Sequence, residues 1–241
     1  MINIIRVHNY DEASDQAFAL MKQYLQPGKV LGLATGSTPL GLYARMVKDH
    51  EENGTSYLEI KTFNLDEYVG LEITHPESYY AFMHRNLFDH IDILEDNVHI
   101  PCGLGEDLEE KAREYDEMID QDPVDVQILG IGSDGHIAFN EPGTPFDSLT
   151  HITDLAESTI QDNCRFFDND ITKVPKQAVT QGIGTIMKAR NIILIATGVN
   201  KAQAVKDMID GPIDEACPAS ILQKHPNVTV IVDEAAGSLL A

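Results

Sequence analysis

Seven short, apolar, β-branched runs spaced by longer amphipathic stretches constrain this chain more than any other feature. They are Ile2–Val7, Val30–Ala34, Ile60–Asn64, Val98–Ile100, Val126–Ile131, Asn191–Thr197 and Val228–Val232. A strand that is apolar along its whole length is buried on both faces, as in a parallel sheet covered by helices. The intervening spacing predicts helices over Asp11–Leu25, Pro39–Asn53, Ser78–Leu87, Glu109–Gln121, Lys176–Lys188 and Lys201–Asp210. The alternation implies an α/β fold with a mostly parallel central sheet and helices on both faces. Thr38 before Pro39 and Asn200 before Lys201 read as side-chain caps of their helices. No repeat, linker or composition shift divides residues 1–241, so one domain is expected. Between residues 142 and 170 the periodicity degrades among Gly, Pro, Ser, Thr and Asn, which reads as an active-site lid.

The formal net charge of −22 argues against nucleic acid or an anionic membrane as partner, since both select basic stripes. A small anion is not excluded. Exposed charges are screened beyond about 8–10 Å, so a few cations in a cleft can dominate locally. Cys102, Cys164 and Cys217 are odd in number and form no CxxC pair, so neither a disulfide framework nor a zinc knuckle is expected. The first residues carry no basic, long-apolar, small-residue leader pattern, and a cytoplasmic protein is expected.

Chemistry concentrates where strands end. After Val30–Ala34 comes Thr35-Gly36-Ser37-Thr38-Pro39, a glycine and hydroxyl turn that opens a helix. Gly36 permits close approach of backbone to ligand, and N–H groups with the Ser37 and Thr38 hydroxyls suit a phosphate. The turn matches neither the P-loop nor the GxGxxG spacing, which favours a phosphorylated metabolite over a nucleotide. After the third run come Asp66 and Glu67. A carboxylate desolvated beyond a strand's carboxyl end can serve as a general base, and Asp66 is the sharper candidate of the pair.

After Val126–Ile131, a glycine-rich loop offers Asp134, His136 and Glu141, the parts of a proton-transfer site whose acids can orient the imidazole. The same three types can ligate a metal, but no second His stands at HxH or HExxH spacing, and no metal is expected. Lys201, beyond the sixth run, and Arg165, within the lid-like stretch, are the cations placed to meet a phosphate.

Thr35–Pro39, Thr62–Leu71, His75–Tyr80, Asp134–Pro142, Arg165–Asp170, Val174–Ala178 and Asn200–Ala202 together resemble the glucosamine-6-phosphate deaminase (glucosamine-6-phosphate isomerase) family over nearly the whole chain. The resemblance implies a three-layer Rossmann-like fold. It implies aldose–ketose isomerisation and deamination of glucosamine 6-phosphate to fructose 6-phosphate and ammonia, without metal or organic cofactor. In that reading Asp66 moves the proton between C2 and C1, and His136 opens the sugar ring, oriented by Asp134 and Glu141. Gly36, Ser37, Thr38, Arg165 and Lys201 hold the phosphate. Longer members of the family are allosteric hexamers activated by N-acetylglucosamine 6-phosphate, whose pocket uses basic residues after the Asn-Glu-Pro stretch and a C-terminal extension. Pro145–Thr153 contains no Lys or Arg and the chain stops at Ala241, so a non-allosteric monomer or small homo-oligomer is expected.

Overall fold

Every one of the seven apolar runs forms a strand. The computed structural model describes residues 2–241, apart from the side chains of Ser158 and Asp162. In chain order the strands are β1 (Asn3–Val7), β2 (Val30–Leu33), β3 (Lys61–Asn64), β4 (Asp66–Tyr68), β5 (Val98–His99), β6 (Val126–Leu129), β7 (His151–Asp154), β8 (Gln177–Thr180), β9 (Ile192–Ala196) and β10 (Val228–Asp233). The α-helices are α1 (Tyr10–Met21), α2 (Leu40–Asn53), α3 (Tyr79–Asn86), α4 (Leu108–Gln121), α5 (Glu157–Asn163), α6 (Ile183–Ile186) and α7 (Ala202–Asp210).

The seven runs build one parallel sheet in the order β1-β10-β9-β6-β2-β3-β5. Every residue of β2, β6 and β9 is buried, as expected of strands covered on both faces. Each fully buried Leu or Ile there contributes about 1.5–3 kcal/mol of transfer free energy. Strand order reverses between β2 and β6: the chain builds outward from β2 to β3 and β5, and from β6 to β9 and β10. In open α/β sheets that reversal leaves a crevice beyond the carboxyl ends of the strands, where ligands bind.

The other three strands form a small antiparallel sheet, β4-β8-β7. After β3 the chain bridges back through Leu65, whose N–H donates to the Leu33 carbonyl at 3.1 Å, and enters the second sheet at Asp66. A separate apolar cluster of Tyr68, Phe139, Leu155, Cys164, Phe167, Val174 and Ala178 supports this sheet and the segment after it.

Three local expectations are corrected. Lys176–Lys188 is not one helix but strand β8 followed by the single turn of α6. The cause lies in Gly182 and Gly184. A Cβ on Gly182 would overlap the Ser148 and Leu149 carbonyls, and one on Gly184 would press on Asp147 and Ser148, so both glycines let the 147–149 backbone lie close. Thr38 does not cap α2: the cap position is Pro39, without a side-chain bond. Asn200 does not cap α7, whose cap position is Lys201 after a short 3-10 turn. Within the 142–170 stretch lie β7 and α5, so ordered structure fills a region whose sequence shows no clear period.

Candidate active site

The crevice at the strand-order reversal is a cleft of about 230 Å³. Its walls come from the ends of β2 (Gly36, Thr38), β3 and β4 (Leu65, Asp66, Tyr68), β6 (Gly130 to Ser133, His136) and β9 (Lys201). The opposite rim comes from α5 and the turn after it, through Thr159, Asn163, Arg165 and Phe166. Asp66 and His136, distant in sequence, therefore face one cavity.

Asp66 is 6% exposed, and its carboxyl is pushed up to about 8 by burial, with the neighbouring Glu67 charge adding to the rise. The two acids of this dipeptide have separate tasks. Glu67 is absent from the cleft lining and accepts the backbone N–H groups of Tyr68 at 2.8 Å, Tyr79 at 2.9 Å and Tyr80 at 3.0 Å. It thereby fixes the start of α3, beside the Ser78 cap that accepts from Ala81. Burial raises the Glu67 carboxyl, and its backbone donors pull the other way.

The His136 loop is bent back on itself. Gly135 has φ +88° and Ala138 has φ +52°, and the Gly132 N–H donates to the His136 carbonyl at 2.9 Å. The amide of buried Asn140 donates to the Ile137 and Gln181 carbonyls at 2.9 and 2.8 Å, which closes the turn and returns Glu141 to the imidazole. Gly132 is required because a Cβ there would overlap the His136 ring.

Behind the ring, His136 Nδ1 lies 2.8 Å from Asp134 and 3.6 Å from Glu141. Both approaches are close but off the line of a well-aligned hydrogen bond to Nδ1. The His136 contact holds the Asp134 carboxyl well below the usual carboxylate range. The other Glu141 oxygen accepts the Thr159 hydroxyl at 2.7 Å, which links the loop to α5. Asp134 and Glu141 do not line the cleft, whereas His136 does. Their donor atoms and that of His136 lie within 4.8 Å of one another, the one set among the described residues able to hold a metal ion. The same set is equally suited to steering an imidazole between two carboxylates.

Of the expected phosphate ligands, Gly36, Thr38, Arg165 and Lys201 line the cleft. Ser37 is exposed and outside the lining, and its carbonyl accepts the Tyr10 hydroxyl at 2.9 Å. Gly36 has φ +85°, which favours glycine. The Lys201 turn is held by Asp233, whose carboxylate accepts the Gly198 N–H at 3.0 Å. Arg165 is exposed, with its guanidinium 4.7 Å from the Phe166 ring centre.

Sequence reasoning gave no role to Thr35, Tyr68, Glu77, Tyr79, Phe82, Thr159 or Asn163, which also line the cleft. Tyr68 and Tyr79 lie 4.7 Å apart, centre to centre, and Asn163 donates to the Tyr68 hydroxyl at 2.9 Å. Burial pushes the Tyr79 hydroxyl well above its ordinary value. The usable signal was the dense aromatic run Tyr79-Tyr80-Ala81-Phe82 directly after the Ser78 cap.

The sequence profile described as glucosamine-6-phosphate isomerases/6-phosphogluconolactonase matches residues 11–231. The chain is 51% identical over 241 residues to a glucosamine-6-phosphate deaminase of Shouchella clausii, covering 99% of this chain and 97% of that one. It is 52% identical to a glucosamine-6-phosphate deaminase of Streptococcus uberis, covering 99% and 100%. Among solved structures, a monomeric glucosamine-6-phosphate deaminase superposes with TM-score 0.96 at 42% identity, covering 99% of this chain and 100% of that one. A 6-phosphogluconolactonase from Trypanosoma brucei shares the fold, with TM-score 0.81 at 23% identity and coverage of 100% and 99%.

Proposed function

The chain belongs to the glucosamine-6-phosphate isomerase/6-phosphogluconolactonase family, and we propose that it is a deaminase converting glucosamine 6-phosphate and water to fructose 6-phosphate and ammonia. One observation carries the reading at the level of chemistry. Asp66 and His136 face the same 230 Å³ cleft as Thr38, Arg165 and Lys201. A hydrolase acting on a lactone has no need of a buried carboxylate above a carbon acid.

The substrate phosphate binds among Gly36, Thr38, Arg165 and Lys201, and this remote grip orients the reacting carbons. His136, steered by Asp134 and Glu141, exchanges protons with the sugar oxygens as the ring opens. Asp66 takes the C2 proton and returns it to C1, so that C1 becomes an alcohol and C2 a carbon–nitrogen double bond. Water then attacks C2 to leave the carbonyl there, and ammonia leaves. Burial holds the Asp66 carboxyl up at about 8, so it favours its proton near neutral pH. A cationic amine entering beside it favours the carboxylate and readies the base. Residues 142–170, with Arg165 on the rim, form the lid that closes over the sugar.

The test is ammonia release from glucosamine 6-phosphate with a metal chelator present. Release that persists with chelator and falls about 10²–10⁴-fold in Asp66→Asn is expected. A folded protein that releases no ammonia overturns the assignment, and activity lost to the chelator moves the Asp134–His136–Glu141 set to metal binding.

The similarity to a monomeric deaminase over the full length, and the absence of Lys and Arg from Pro145–Thr153, support a monomer with hyperbolic kinetics. Light scattering together with substrate saturation, with and without N-acetylglucosamine 6-phosphate, checks both. Sigmoidal curves relieved by the acetylated sugar would refute the second.

A further inference from the structure

Helix α2 begins beside the phosphate-binding turn without a side-chain cap of its own. Its cap position is Pro39, and Thr38, expected to serve, lines the cleft instead. An uncapped helix start leaves backbone N–H groups without partners. Here one partner arrives from another helix. The Tyr10 hydroxyl oxygen accepts the Gly41 N–H at 2.8 Å, while its proton is shared between the Ser37 carbonyl at 2.9 Å and the Thr38 carbonyl at 3.2 Å.

We propose that Tyr10 is a positioning residue for the phosphate anchor, capping α2 from outside so that Thr38 stays available to the ligand. The inference rests on the reading of the 36–38 turn as the phosphate site.

The surrounding sequence builds this contact. The Asn9 side chain accepts the Glu12 N–H at 3.0 Å and starts α1, which places Tyr10 in its first turn. Gly41 lets the two helices close up, since a Cβ there would overlap the Ser14 side chain and lie 3.2 Å from the Tyr10 ring. Tyr10 as a residue is 37% exposed, and its hydroxyl is what bonds the turn. Its three contacts span Ser37 to Gly41, the segment whose carbonyls must point away from a phosphate for its N–H groups and the Thr38 hydroxyl to point toward it.

Tyr10→Phe removes only the hydroxyl and keeps the ring against Gly41. The expected result is a KM for glucosamine 6-phosphate raised about 3–10-fold, with kcat within about twofold, the effect of one or two neutral hydrogen bonds lost from a binding element. The inhibition constant of inorganic phosphate should rise by a similar factor. A variant that was only less stable would melt at lower temperature, while its folded fraction would keep the parent KM. Inorganic phosphate that competes equally well in parent and variant overturns the role of Tyr10 and leaves the phosphate site standing. A fall in kcat at constant KM also overturns it. Phosphate that fails to compete in the parent protein overturns the phosphate-site reading itself.

Discussion

The two sheets of this molecule meet at one cleft but are held together by different means. The seven-stranded sheet is parallel, buried on both faces at its centre, and made of runs whose apolar character alone marks them. The three-stranded sheet is antiparallel, its edge strand β7 is partly exposed throughout, and its strand β4 reads Asp-Glu-Tyr. The large sheet supplies turns at fixed positions: Gly36–Thr38, the His136 loop and the Lys201 corner. The small sheet supplies Asp66 at its junction with the large one, and Arg165 follows in the segment packed on its own apolar cluster. The difference teaches that in this cleft the anchoring turns come from the part set by burial. The carboxylate and the rim cation depend on long-range pairing.

The sharpest way to break this contrast is Asp66→Asn. Its kcat should fall about 10²–10⁴-fold, the usual worth of a general acid–base group. The same change should stabilise the protein. A carboxyl whose folded pKa, about 8, lies above its unfolded value binds its proton more tightly in the fold. Its cost is therefore absent below pH 4, grows as pH rises, and is complete above pH 8, on the order of a few kcal/mol. Melting curves of parent and variant should coincide at pH 4 and separate at pH 8, with the variant higher. The parent kcat/KM should climb through pH 8 as the free carboxyl ionises, and a profile flat across that range would contradict Asp66 as the base.

Next in size is the pair Arg165→Ala and Lys201→Ala, one cation from each region. Each should raise KM about 10–100-fold, the range for a charge-assisted hydrogen bond. Arg165→Ala should also lower kcat if the rim closes on the sugar, whereas Lys201→Ala should leave kcat nearer the parent value. Equal splits between KM and kcat would erase the proposed distinction. Glu67→Ala should cost about 1–3 kcal/mol of stability by stranding the N–H groups at the start of α3, read by denaturant unfolding. Of similar size, Gly182→Ala should cost about 1–3 kcal/mol through overpacking against the Ser148 and Leu149 carbonyls. Its effect on kcat should exceed that of an equally destabilising change in the core of the large sheet.

All seven strands of the large sheet were legible as short β-branched runs, and for β2, β6 and β9 burial at every residue explains why. The long helices were legible from their period. The small sheet was not. Gln177–Thr180 carries a mixed pattern that continues smoothly into Gly182 and Ile183, so a helix over 176–188 was the natural reading. The two glycines were the contrary signal, since each costs about 1 kcal/mol in a helix interior. At the site, residue types and strand-end positions marked Asp66, His136, Arg165 and Lys201. They could not show that Glu67 turns to α3, or that Asp134 and Glu141 stand behind the imidazole rather than in the cleft. Those facts depend on φ values at Gly135 and Ala138 and on which N–H groups a neighbouring helix leaves open.

In the small sheet, Asp66 pairs with Thr180, and Thr180 pairs in turn with His151. These three form a single transverse row whose outer end is a surface residue and whose inner end is the carboxylate of the cleft. A backbone break at the outer end, such as proline at His151, would loosen a row only three strands wide. The geometry of chemistry at carbon is thus exposed to substitutions on an edge that touches no substrate.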